Sequence, residues 1–347
     1  VTYTDRAVGL AIALSRRYAV PDRRQDRDSG MIVNAPTADA LDRVALRLHF
    51  RSWTELMGII EDFALNFEFF DPTGLSENKD LWAEEWAEYL QDCQPDLQSI
   101  ASIVQQANEL ALKARLCAVS PFLLLLKTDP KFANGAADLD FSELRTLDAV
   151  DLPAAVNTFC AKRLSDDFVR TYTELRSLRN KVVHLGDASA TFTPQGLMKL
   201  MVRQFIELWP NRQWLTEWLA VETGSRYAIF HDGRHQSAHA EVLHRWADAV
   251  PLIPKSDFKQ LFGYAKSRRR YHCPICAEAA RTKWSTPWED TGSATAFLDG
   301  DAGQIHCVAC GERFAVARER CRECPGDVIA AGDTDAAGCC LSCGSFG

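Results

Sequence analysis

Long apolar runs are missing from this chain. Its longest strongly apolar stretch, residues 122–126, falls far short of the roughly 20 residues a membrane-spanning helix needs. The first residues carry no basic segment followed by an apolar one, so no export signal is expected. The expectation is a cytoplasmic protein with no membrane partner. Net positive charge is missing too, with 39 Lys and Arg against 47 Asp and Glu and a formal charge of −8. That balance does not favour nucleic acid as a partner, but such affinity follows local basic patches rather than whole-chain charge. One patch lies at Lys266, Arg268, Arg269 and Arg270, with Arg313, Arg318, Arg320 and Arg322 further on. The same run reads equally well as a solubilising linker. Cysteine, finally, is scarce before residue 273. Cys93, Cys117 and Cys160 are scattered on predicted helices, where a free thiol packs as a small hydrophobe.

The remaining nine of the 12 cysteines crowd the C-terminal end. Eight form four Cys-x2-Cys pairs: Cys273/Cys276, Cys307/Cys310, Cys321/Cys324 and Cys340/Cys343. Two-residue spacing lets both thiolates face one ion across a tight turn, and two such pairs complete a tetrahedral set of four sulfurs. Gly311 and Gly344 follow the second cysteine of their pairs, where glycine lets the backbone turn its amides towards sulfur. Disulfides are disfavoured in a reducing compartment. Two structural zinc ions are therefore expected, each supplying on the order of 10 kcal/mol of folding free energy to a tail with little core of its own. The pairs can combine in order, giving tandem zinc ribbons, or interleave as in a cross-brace. Cys339 beside Cys340, or His306 beside Cys307, is an alternative ligand. Trp284 and Trp288 lie in the first ribbon's long loop, either as its small core, the favoured reading, or as platforms for stacked bases.

The rest of the chain reads as mainly α. Residues 1–90 form an N-terminal helical accessory region, with helices expected over 7–20 and 39–49. A Ser-x-x-Glu capping box at Ser52–Glu55 is expected to open another helix, reaching about Phe67. Asp71-Pro72-Thr73-Gly74 is a break, after which Leu81, Trp82, Trp86, Tyr89 and Leu90 make an amphipathic stripe. Residues 91–225 read as an antiparallel helical bundle with short loops. It starts with a long helix from about Ile100, then a short helical piece over 141–149 and a helix opened by Asp151-Leu152-Pro153. A further helix begins at Thr193-Pro194. Residues 226–270 make a helical connector with a basic end, and 271–347 the small β module of zinc ribbons. His231, His235 and His239 repeat at helical spacing, but no acidic fourth ligand is fixed beside them.

One helix in the bundle carries chemistry. From Ser165 to Gly186, Phe168, Tyr172, Leu175, Leu178, Val182 and Leu185 form an apolar stripe, while Arg176, Arg179, Asn180 and His184 lie off it. Ser165, Asp166 and Asp167 suit its start and Gly186 its end. Arginine is a permanent cation and histidine exchanges a proton near neutrality. The two suffice to cleave a phosphodiester without a metal, the imidazole moving the proton and the guanidinium holding the phosphate. The same Arg-x4-His spacing recurs at Arg234 and His239, and a looser one at Arg43 and His49; only the first sits on a helix of this kind. Arg179 and His184 are five residues apart, about 140° around an ideal helix. Convergence on one phosphate then needs a kink or a second copy of the helix.

In Arg179, Asn180 and His184, with Leu175-Arg176-Ser177-Leu178 before them, the chain resembles the HEPN superfamily of helical-bundle proteins, many of them ribonucleases. Ala107-Asn108-Glu109-Leu110-Ala111-Leu112-Lys113 is similar to a stretch on that family's first long helix. The resemblance spans roughly residues 95–225. It implies a HEPN-like bundle that pairs into a homodimer with both motifs in one cleft. It further implies metal-independent cleavage of RNA leaving 2′,3′-cyclic phosphate ends, and a toxin or antiviral role. A departure stands at Gly186, where the subgroup silenced by a nucleotidyltransferase carries tyrosine. The other expectation is a non-catalytic dimeric adaptor whose ribbons bind nucleic acid or a regulatory protein. No helix-turn-helix accompanies the ribbons, which argues against a transcription factor.

Overall fold

In the computed structural model of the chain, the described residues are 31–75, 77, 80–126, 138–185, 191–225, 237–281, 287–300, 303–332 and 335–346, with the side chains of 183–185 excepted. The helix expected over 7–20, together with Gly186, His231, Arg234, His235, Trp284 and the His184 side chain, lies outside them. Among the described residues no helix is long and apolar enough to cross a membrane.

The chain divides into two units. The first comprises Val1–Pro36 and Leu125–Leu147. Its described part centres on β1 (Ile32–Val33), paired in parallel with β2 (Leu139–Asp140). Asn34 Nδ2 donates to Asp140 Oδ2 at 2.6 Å, and the Ser142 amide and hydroxyl donate to Asp140 Oδ1. Those bonds, Ser142 first, hold the Asp140 carboxyl down at about 2. The helical piece expected over 141–149 is only a 3₁₀ turn, Phe141–Glu143.

The second unit, Thr37–Leu124 with Asp148–Gly347, holds ten α-helices among its described residues and a small sheet. α1 (Ala38–Asn66) is capped by Thr37, whose hydroxyl accepts from the Ala40 amide at 3.2 Å. It is one helix where two were expected. Ser52 and Glu55 do not cap a new start, because Phe50, Trp53, Met57 and Ile60 continue a buried stripe straight through them. Glu55 instead pairs with Arg51 at 2.7 Å. α2 (Ala83–Asp92) follows the Asp71 turn, and Trp86 and Tyr89 pack their rings on Phe63 of α1. α3 (Gln94–Val119) runs against α1, burying Leu97, Val104, Ala107, Ala111 and Leu112. Residue 90 lies within α2, and the helices before and after it, α1 and α3, pack along one another.

α4 (Leu152–Phe159), α5 (Asp166–Leu185), α6 (Pro194–Leu208) and α7 (Trp214–Thr223) complete the bundle. Thr193 caps α6, as its position before Pro194 suggested; Asp151 makes no such side-chain bond at α4. Arg115 of α3 closes the other end of α6, donating through Nη2 to the carbonyls of Glu207 and Leu208. α8 (Ala238–Leu252) and α9 (Lys255–Phe262) form the connector, followed by α10 (Pro274–Ala280). β3 (Ala296–Leu298), β4 (Gln304–Cys307), β5 (Arg313–Ala317) and β6 (Ile329–Ala330) make one antiparallel sheet in chain order.

Aromatic rings join these parts. Trp53 meets Trp214 at 4.7 Å, Trp214 meets Phe262, Phe262 meets Trp246 and Phe258, and Phe258 meets Phe297 of the sheet. Each such pair contributes about 0.5–1.5 kcal/mol beyond its buried area. Gly292 brings the ribbon so close to α8 that a Cβ there would lie 2.4 Å from the Leu243 carbonyl oxygen. The ribbons are therefore packed onto the helices through buried contacts.

Candidate functional site

The four cysteine pairs fold into two clusters, Cys273/Cys276/Cys307/Cys310 and Cys321/Cys324/Cys340/Cys343. The pairs combine in chain order and do not interleave. In the first cluster Cys273 and Cys310 sulfurs lie 3.7 Å apart, as do those of Cys276 and Cys307. In the second, Cys324 to Cys340 is 3.7 Å and Cys321 to Cys343 is 3.9 Å. Four sulfurs held about 2.3 Å from one zinc stand about 3.8 Å from each other. Both clusters could therefore hold a zinc ion, with four thiolates each and no place left for a substrate.

Local backbone explains why the clusters form. The Ala309 amide donates to Cys307 Sγ at 3.4 Å, and the Thr295 hydroxyl lies 3.1 Å from the same sulfur. The amides of Glu323 and Gly326 donate to Cys321 and Cys324 at 3.3 Å, and the first of these pulls the Cys321 thiol down to about 7. Gly311 and Gly344 take φ values of +79° and +77°, the left-handed turn that glycine permits. Gly344 has a second reason to be glycine, since a Cβ there would lie 2.8 Å from Trp288 Cγ.

Neither alternative ligand joins a cluster. Cys339 is fully buried with its thiol against the Cys340 carbonyl, and burial pushes it up to about 12. His306 Nδ1 pairs with the Tyr264 hydroxyl at 3.0 Å. Trp288 is buried between the ribbons, which fits the core reading. The basic run is largely engaged. Lys266 donates to the Pro251 and Ile253 carbonyls at the end of α8, and Arg268 bonds the Leu298 carbonyl. Arg269 bonds Ser342 at 2.9 Å, while Arg313 and Arg318 pair with Asp299 and Asp327.

On α5, Ser165 accepts from the Phe168 amide, so the start is capped as its sequence suggested. The apolar stripe is buried at Phe168, Tyr172 and Leu175, then only half-buried at Leu178 and Val182. Arg179 and Asn180 are half-buried, and Arg179 Nη1 donates to Asn180 Oδ1 at 3.2 Å. Arg179 stands seven residues past Tyr172, about 20° around the helix. Tyr172 donates to the Ala149 carbonyl at 2.8 Å, and its phenol is raised by burial and then by Glu109 of α3, against Arg176 and Gln105. Arg176 and Arg179 thus continue the flank of α5 that borders α3.

The sequence reading missed the buried polar side chains of the bundle. His49 lies among Phe50, Phe205 and Trp209 with both ring nitrogens unpartnered, and burial lowers it to about 3. Asn108 and Gln204 are likewise buried without partners for their amides. A polar residue at an apolar position of the stripe was the available signal. His239 sits in the first turn of α8, within electrostatic reach of Cys307. No protein-family model matches the chain, and neither a curated protein nor a solved structure is significantly similar to it.

Proposed function

We propose that the chain is a metal-independent endoribonuclease of HEPN type, acting as a homodimer, with its zinc clusters in a structural role. The observation that carries this reading is the state of Arg179. It is half-buried, and its guanidinium is steered by Asn180 with no carboxylate pairing it among the described residues. A cation left free of ion pairs is available to a phosphate. The stretch 107–113 and the Arg-Asn-x3-His run also lie on helices that pack together, α3 and α5.

In this reading the RNA 2′-hydroxyl attacks the adjacent phosphorus, forming the O2′–P bond as the P–O5′ bond breaks. His184 serves the proton transfers, from the 2′-oxygen and to the departing 5′-oxygen. Arg179 stabilises the charge on the phosphorane, and Asn180 orients the guanidinium. The products are a 2′,3′-cyclic phosphate and a 5′-hydroxyl. The resemblance assigns such an enzyme a toxin or antiviral role.

The test is incubation of purified protein with total cellular RNA, beside a His184→Ala chain of equal thermal stability. The parent fragments the RNA and the variant does not. RNA left intact by the parent, with binding through the ribbons retained, would favour the adaptor.

A further inference from the structure

Two surfaces at opposite ends of α3 expose apolar side chains beside charges of opposite sign. At the first, α1 passes through a loop into α2, and Leu65, Phe69 and Leu75 stand 83%, 71% and 84% exposed. The loop is held in shape. The Asp71 carboxylate accepts from the Thr73 and Leu75 amides at 2.8 and 3.0 Å, and Gln195 of α6 donates to the Pro72 carbonyl at 3.1 Å. The Trp82 indole donates to the Glu68 carbonyl at 3.0 Å. Phe69 is fixed at φ +63°, a conformation costly for phenylalanine, while its ring stays in solvent. Charge here has one sign. Between Arg51 and Lys113 the sequence holds one base, Lys79, against 13 acids. Glu68, Asp80, Glu84 and Glu85 are exposed, with no ion pair among the described residues.

The second surface lies where α3 ends. The Cys160 thiol donates to the Arg115 carbonyl at 3.5 Å, so the end of α4 meets the end of α3. Val119, Phe122 and Phe159 are 57%, 53% and 43% exposed about that junction. Lys162 and Arg163 follow α4, both exposed and with no ion pair among the described residues. The acids that come next, Asp166 and Asp167, lie in the first turn of α5, and Asp167 is paired with Arg170.

The 26 residues of α3 hold the two surfaces about 39 Å apart. One molecule cannot bring them together; two can. Grouped exposed apolar side chains mark interaction surfaces, and opposite charges around them set partner and register. Because the two surfaces differ, their contact is heterologous. Every copy keeps one of each free, so association runs on into a ring or a filament. We propose that copies of this chain join head to tail, the acidic α1–α2 loop of one seated on the basic α3–α4 end of the next. The contact does not rest on the nuclease reading, whose dimer is a closed pair formed through α5.

Sedimentation velocity of the full chain over a range of concentrations reads the contact. The parent should grow beyond a dimer as concentration rises, and about 1 M salt should move that growth to higher concentration. A chain with Lys162→Glu and Arg163→Glu has two acidic ends and should not grow beyond a dimer. One with Glu84→Lys and Glu85→Lys has two basic ends and should behave alike. A chain carrying all four changes should grow again, because its ends are once more opposite. Leu75→Ser should raise the concentration needed for growth at least about threefold, with an unchanged melting temperature. A parent that never exceeds a dimer up to about 1 mM overturns the proposal and leaves both surfaces to other proteins. So does growth of either folded two-change chain at the parent's concentration, or a folded four-change chain that stays small. If the charge variants do not fold, parental growth in Leu75→Ser has the same force. Head-to-tail growth without RNA cleavage by the parent would sink the nuclease reading alone.

Discussion

His49 is an imidazole held where it cannot be charged. Aromatic rings of Phe50, Phe205 and Trp209 surround it, and burial brings its pKa down to about 3. The unfolded chain takes up that proton near pH 6.5. Between those values the unfolded state binds one proton more, so this contribution to stability is complete above about 6.5 and is lost as pH falls towards about 3. The loss is at most about 1.4 kcal/mol per pH unit. His49→Leu should remove that slope from urea midpoints measured between about pH 7.5 and 5. Equal slopes in parent and variant would mean that His49 is charged or solvated in the folded protein. Arg179 presents the opposite case, a charge kept half in water with an amide to aim it. Arg179→Ala is expected to abolish RNA cleavage without unfolding the chain. His239→Ala, in the first turn of α8, should cleave RNA as the parent does; loss of cleavage there with Arg179→Ala active would shift the chemistry to the second Arg-x4-His run.

At the scale of elements, the Cys-x2-Cys pairs were the most legible part of the sequence, because their spacing is local. Pairs two residues apart bring their sulfurs together wherever they sit; Cys276 does so from the first turn of α10, and the glycines after Cys310 and Cys343 set the handedness of those two turns. Helix α5 was legible in its cap and its first three stripe positions. The capping box at Ser52 misled because Ser-x-x-Glu has the same letters in mid-helix, and burial of Trp53 against Trp214 is a tertiary fact. Metal analysis of the folded protein should return two zinc ions per chain, and Cys324→Ser should lower the count towards one. Fewer than one in the parent would contradict the assignment of both clusters. Gly344→Ala, strained at φ +77° and in collision with Trp288, should cost about 1–3 kcal/mol. A neutral result would mean that the two ribbons do not depend on that contact.

Taken as a whole molecule, the second unit runs its aromatic core from α1 through α7 and α9 into the sheet, so the cysteine-cluster module and the bundle share packed side chains. Arg179 and His184 stand about 140° apart on an ideal helix, so convergence on one phosphate calls for a kink or a second copy of the helix. Two copies of α5 facing one another would supply it. Light scattering should therefore report a dimer or a multiple of one, and mixing His184→Ala chains with parent should lower activity per parental chain. A fully active monomer would rule out the shared cleft. The nuclease claim itself is tested most directly by the ends left on a defined single-stranded RNA, with no metal added and analysed by mass. The account predicts 2′,3′-cyclic phosphate and 5′-hydroxyl ends from the parent and none from His184→Ala. Ends carrying a 5′-phosphate and a 3′-hydroxyl, or cleavage that survives in His184→Ala, would contradict it.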